Sequence, residues 1–61
     1  MQHYEAIIIG TYISRVLIAR DIKEARKMAK EYYADAIKNS GVKIRVQQVA
    51  GWYYELKQYI N

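Results

Sequence analysis

The sequence predicts an α+β domain of ββαββ order, with one helix packed on a small, mostly antiparallel sheet. Three observations carry that prediction. Two β-rich runs flank Gly10-Thr11 in "YEAIIIGTYISRVLIARD", residues 4–21. A stretch of helical periodicity with a capping residue at its start and a glycine at its end follows. Apolar and polar residues then alternate again from Val42.

The first two strands are read over residues 3–9 and 12–19. A Gly-X pair between β-rich runs is the signature of a two-residue type II′ turn. That geometry sets Ile9 opposite Tyr12 and, counting outward, Ile7 opposite Ser14, Glu5 opposite Val16 and His3 opposite Ile18. The other side of the ribbon then carries Ile8 with Ile13, Ala6 with Arg15, and Tyr4 with Leu17, ending near Ala19.

The helix is expected to start at Asp21, an N-cap residue with Glu24 three positions on in the manner of a capping box. Ile22, Ala25, Met28, Ala29, Tyr32, Tyr33, Ala36 and Ile37 form a stripe at helical spacing. Asn39-Ser40-Gly41 supplies the stop, the glycine suiting a left-handed conformation past the helix end. Val42 to Val46 alternates as a strand with one wet side. The closing run "GWYYELKQYIN" is readable as a helix burying Trp52, Leu56 and Tyr59. Its aromatic density and the Ala50-Gly51 turn signal favour a fourth strand over residues 52–60.

Sixty-one residues make one small domain, 1–61, at most. A chain of this size buries only about 60% of the surface its unfolded form exposes, so a lone core is marginal. Disulfides, metals or association normally make up the difference. The absence of cysteine removes disulfides and thiolate metal sites, and a single histidine leaves little for a zinc cage. Association is the remaining route. No run approaches the roughly 20 apolar residues of a membrane span, so a cytoplasmic chain with no membrane partner is expected. Ten Lys and Arg against six Asp and Glu give a net charge of +4, spread evenly along the chain. That balance permits nucleic-acid binding without demanding it.

One helix covers one face of a small sheet. Ile8, Ile13, Ala6, Tyr4, Leu17, Ala19, Val42, Ile44 and Val46 match its stripe, with Arg15 as the misfit reaching out along the edge. The other face then presents Ile7, Ile9, Tyr12, Val16 and Ile18, an apolar patch larger than a soluble monomer usually shows. Burying about 500 Å² of it is worth on the order of 12 kcal/mol before association costs. A second copy related by a two-fold axis is the simplest cover. Those five residues are therefore the expected dimer or partner interface.

Candidate chemistry is thin. His3 and Glu5 share a side of the first strand, but two ligands make no metal site. Ser14 and Ser40 have no adjacent base, and Asp21 with Glu24 is explained by capping. The glycines form no phosphate-cradling loop. Neither a catalytic constellation nor a cofactor is expected. Aromatic residues make up 13% of the chain, and Lys43, Arg45, Tyr53, Lys57 and Tyr59 offer a sheet surface where rings stack on bases and cations meet phosphates. Nucleic acid is accordingly the second candidate partner. On the helix, Lys23, Arg26, Lys27 and Lys30 form another basic surface, interrupted by Glu24 and Glu31.

The hairpin running into "LIARDIKEARKMAKEYY" resembles small proteins of the DpnD/PcfM type found on plasmids and phages. The resemblance rests on Leu17, Ala19, Asp21, Glu24 and Ala25 and spans residues 4–37. The chain departs from the pattern in its "AIII" run and its basic third strand. The resemblance implies a mobile-element accessory protein without established catalytic residues. The function expected from the whole sequence is non-catalytic: a small accessory or regulatory protein that binds a host or element protein as a homodimer.

Overall fold

The computed structural model describes residues 1–50. Strand β1 (Gln2–Ile8) turns back as β2 (Ser14–Ala19), and β3 (Ile44–Val49) pairs with the other edge of β1. Both pairings are antiparallel, so β1 is the central strand of a three-stranded sheet with order β2-β1-β3. Two consecutive helices, α1 (Ile22–Tyr32) and α2 (Ala34–Ser40), connect β2 to β3. The chain is an α+β domain, and this layout is compatible with ββαββ. The fourth strand expected over residues 52–60 lies outside the described residues.

The hairpin register matches expectation along its length, from Ile7 opposite Ser14 to Gln2 opposite Ala19. Its turn differs. Ile8 N–H donates to Ile13 O at 3.0 Å, closing a four-residue loop, and Thr11 N–H donates back to Ile8 O at 3.2 Å. Gly10, at φ +86°, thus occupies the third position of a tight turn over Ile8–Thr11, where a type II geometry needs positive φ. Thr11 holds the loop with its side chain: Oγ1 donates to Ile8 O at 2.9 Å and accepts from Ile13 N–H at 3.0 Å. Those hydroxyl contacts suit a wider loop than the two-residue turn, since threonine side chains offer the backbone alternative local partners. Ile9 therefore does not face Tyr12; its N–H donates to Lys43 O at 2.9 Å, extending the β1–β3 side instead.

Asp21 caps α1, its Oδ1 accepting from Glu24 N–H at 2.8 Å. The reciprocal half of the box is shifted by one residue. Glu24 Oε1 accepts from Arg20 N–H, while Oε2 receives the Arg20 guanidinium at 2.9 Å. The Arg20 backbone N–H and then its side chain hold the Glu24 carboxyl below the usual glutamate range. A carboxyl with a depressed pKa stabilises the fold above its ordinary range, and that contribution disappears as pH falls through the folded value. Glu24→Gln should therefore flatten the acid limb of a thermal-unfolding profile relative to the parent while changing little else. An acid limb identical in both proteins would count against the Arg20 contacts.

The helical stripe breaks at Tyr33 (φ −100°, ψ 23°), with no proline or glycine to blame. The break re-phases the chain. Of the two tyrosines on the expected stripe, Tyr33 is buried at 9% exposure whereas Tyr32 is 56% exposed. Ile37, in α2, then packs against the core. Gly41 ends α2 in the left-handed region at φ 64°, its N–H donating to Ile37 O at 3.0 Å. A Cβ there would meet open space, so Gly41→Ala carries only the backbone penalty of about 1 kcal/mol. Gly41→Asn should lose less than alanine, because asparagine tolerates that region. Equal losses in denaturant unfolding would contradict the assignment.

The core lies between the sheet and the helices. Ala6, Ile8, Leu17, Ala29 and Tyr33 form one cluster, with Met28, Ile37, Val42, Ile44 and Val46 packed against it. Tyr4, Ala19 and Ala25 form a second. Four of these residues are alanines at 0–1% exposure, which lets the α1 backbone approach the sheet closely. Ile13 is a correction: it sits at the loop end and is 55% exposed.

Candidate interaction surface

Alternation along the strands places His3, Glu5 and Ile7 of β1, Ser14, Val16 and Ile18 of β2, and Arg45, Gln47 and Val49 of β3 on the face away from the helices. No described helix lies over it. Ile7 and Val16 are half-buried by their strand neighbours. Ile18 is 44% and Ile9 54% exposed. Four of the five interface residues expected from the sequence thus belong to this face or its margin. Tyr12 does not: the wider loop leaves it fully exposed at the hairpin tip.

The centre of this face is occupied by a carboxylate rather than an apolar side chain. Glu5 is only 3% exposed, walled by Val16 and Gln47 across the strands and by His3 and Ile7 along its own. Gln47 Nε2 donates to Glu5 Oε1 at 3.4 Å, and Arg45 Nη2 donates to Gln47 Oε1 at 3.2 Å. A polar chain therefore crosses the β1–β3 half of the face, while the isoleucines and Val16 dominate the β1–β2 half. Only the choice of β3 as the second partner of β1 makes Glu5 central, and that long-range choice leaves no local signal.

Of the expected nucleic-acid contacts, Lys43 and Arg45 are exposed at the β3 edge. Tyr53, Lys57 and Tyr59 lie outside the described residues. A phosphate approaching Arg45 on this face would come near the Glu5 carboxyl. On the helix side, Arg15 meets Tyr32 as the sheet-edge misfit. Its Nη1 donates to the Tyr32 hydroxyl at 3.0 Å, and its guanidinium lies 4.5 Å from the ring centroid. Tyr32 in turn meets Tyr33 edge-on at 4.9 Å. Burial, with Tyr32 adding to it, pushes the Tyr33 phenol up.

Among the described residues no group of three or more His, Asp or Glu is gathered in a way that would hold a metal ion. No described helix is long and apolar enough to cross a membrane. The fold and surface together define a small α+β domain with helices on one side of its sheet and a mixed apolar and polar face on the other. Comparison with protein-family models, curated proteins and solved structures found no match.

Proposed function

We propose that this chain is a non-catalytic protein-binding module, acting in the cytoplasm as a homodimer joined through the face of the sheet opposite the helices. One observation carries the reading: Ile7, Ile9, Val16 and Ile18 project from a face that no described helix covers. Burying such a patch against a copy of itself gives a small core the apolar contact it otherwise lacks. The polar chain from Arg45 to Glu5 suits the wetter half of such an interface, fixing register where the apolar half supplies affinity. A small accessory or regulatory protein of a phage or plasmid, engaging a host or element protein, is the role that fits a two-fold binding module and the resemblance of residues 4–37. Sedimentation across a wide range of protein concentration tests the assembly. A particle of two subunits is expected, and a single-subunit particle persisting at the highest concentration overturns the reading.

A further inference from the structure

The second basic surface lies on the far side of α1 from the sheet, and the structure removes one of the two acids that interrupt it in the sequence. Glu24 turns back to Arg20, which engages both of its carboxylate oxygens. What is left is an exposed face bearing Lys23, Arg26, Lys27 and Lys30 against Glu31 alone, around a shallow cleft of about 500 Å³ that Ala34 also lines. Lys23, Lys27 and Lys30 follow helical spacing, so they stand in a row of roughly 10 Å at 1.5 Å per residue, with Arg26 beside it. Among the described residues none of the four cations has an acidic partner within ion-pair distance.

We propose that this face of α1 docks on the phosphate backbone of duplex nucleic acid. The cations are the recognition element, and the chemistry of the patch favours phosphates over other anionic partners. A protein interface centres on aromatic or aliphatic anchors, and this patch holds no apolar group larger than Ala34. An anionic membrane is met by a helix that inserts an apolar face, whereas the apolar side of α1 is spent on the protein's own core. Three lysines and Arg26 on an exposed helix face, with no aromatic ring to stack on bases, suit contacts to phosphates, which position without reading sequence. The surface also differs from the sheet face proposed for dimerisation, so each stands or falls by itself.

Fluorescence anisotropy with a labelled duplex oligonucleotide, titrated at several salt concentrations, tests the proposal. Three to four phosphate contacts per chain predict a log–log salt slope of about −2.7 to −3.6, which is a loss of roughly 40- to 150-fold between 50 and 200 mM salt. Lys27→Gln with Lys30→Gln should reduce the slope by about 2. Lys43→Gln with Arg45→Gln, removing the same charge from the sheet edge, should leave it nearly unchanged, with the mass of both variants checked in parallel. An unscrambled and a scrambled duplex should bind alike. Absence of binding at low salt overturns the proposal, as do equal losses in both variants, a loss only in the sheet-edge variant, or tighter capture by anionic phospholipid vesicles than by duplex.

Discussion

Leu17→Ala is expected to lower the unfolding free energy by about 2–5 kcal/mol, through lost transfer energy and a cavity. Leu17 is 8% exposed and sits on β2 opposite Tyr4, in the cluster with Ala6, Ile8, Ala29 and Tyr33. Two of those neighbours are alanines, whose side chains cannot extend into a vacated volume. Met28, unbranched and adaptable, packs against the same cluster, and its adjustment fills only part of the hole. A 61-residue domain has a total stability of roughly 3–9 kcal/mol at about 0.05–0.15 kcal/mol per residue. The substitution therefore removes a large share of it. Leu17→Met, which conserves volume, should cost less than about 1.5 kcal/mol. Urea titrations of the three proteins make the comparison, and a Leu17→Ala loss below that of Leu17→Met would mean that the helix does not press on this part of the sheet.

The hairpin register, the Asp21 cap and the Gly41 stop were all legible because each is a local device, whereas the third strand, expected over Val42 to Val46, runs from Ile44 to Val49 and shares only Ile44 to Val46 with that reading. Period-two alternation fixes which side chains share a face, so Tyr4, Ala6, Ile8, Leu17 and Ala19 fall together whatever the turn does. The turn itself was misread because Gly-X describes a glycine's freedom and carries nothing about Thr11, whose hydroxyl closes a wider loop. The helix break was invisible for a related reason. Tyr32 and Tyr33 are adjacent tyrosines with the same intrinsic preferences, and only the fit of one ring against the sheet decides which turns inward. The interface prediction inherits both effects: Ile7, Val16 and Ile18 depend on alternation and keep their places, while Tyr12 depended on the turn and loses its own. Arg15 shows the converse. Its position on the helix side was evident, but its partner Tyr32 is 17 residues away and nothing local to the hairpin points to it. The burial of Glu5 has no local cause, since it follows from the pairing of β3 more than 40 residues later.

Val16→Lys, one residue from Leu17 but on the opposite face, is expected to leave the fold intact and abolish the proposed dimer. Within a single subunit residue 16 stands across from Glu5, so a lysine stem lies along the sheet while its ammonium faces that carboxyl and water. Little packing is lost, because Val16 is only half-buried. A two-fold interface changes the balance, since every dimer must now take two ammonium groups out of water at the centre of its apolar half. The effective desolvation penalty is several kcal/mol per ion, and where the Glu5 carboxyl does not repay it, that is enough to weaken association about a thousandfold or more. Sedimentation should thus give a single-subunit mass at concentrations where the parent is paired, with cooperative unfolding retained by circular dichroism. Ile18→Lys provides a second route that does not depend on Glu5: Ile18 is 44% exposed and lies opposite His3. Two folded variants that keep the parent's mass would show that the sheet face is not where the subunits meet.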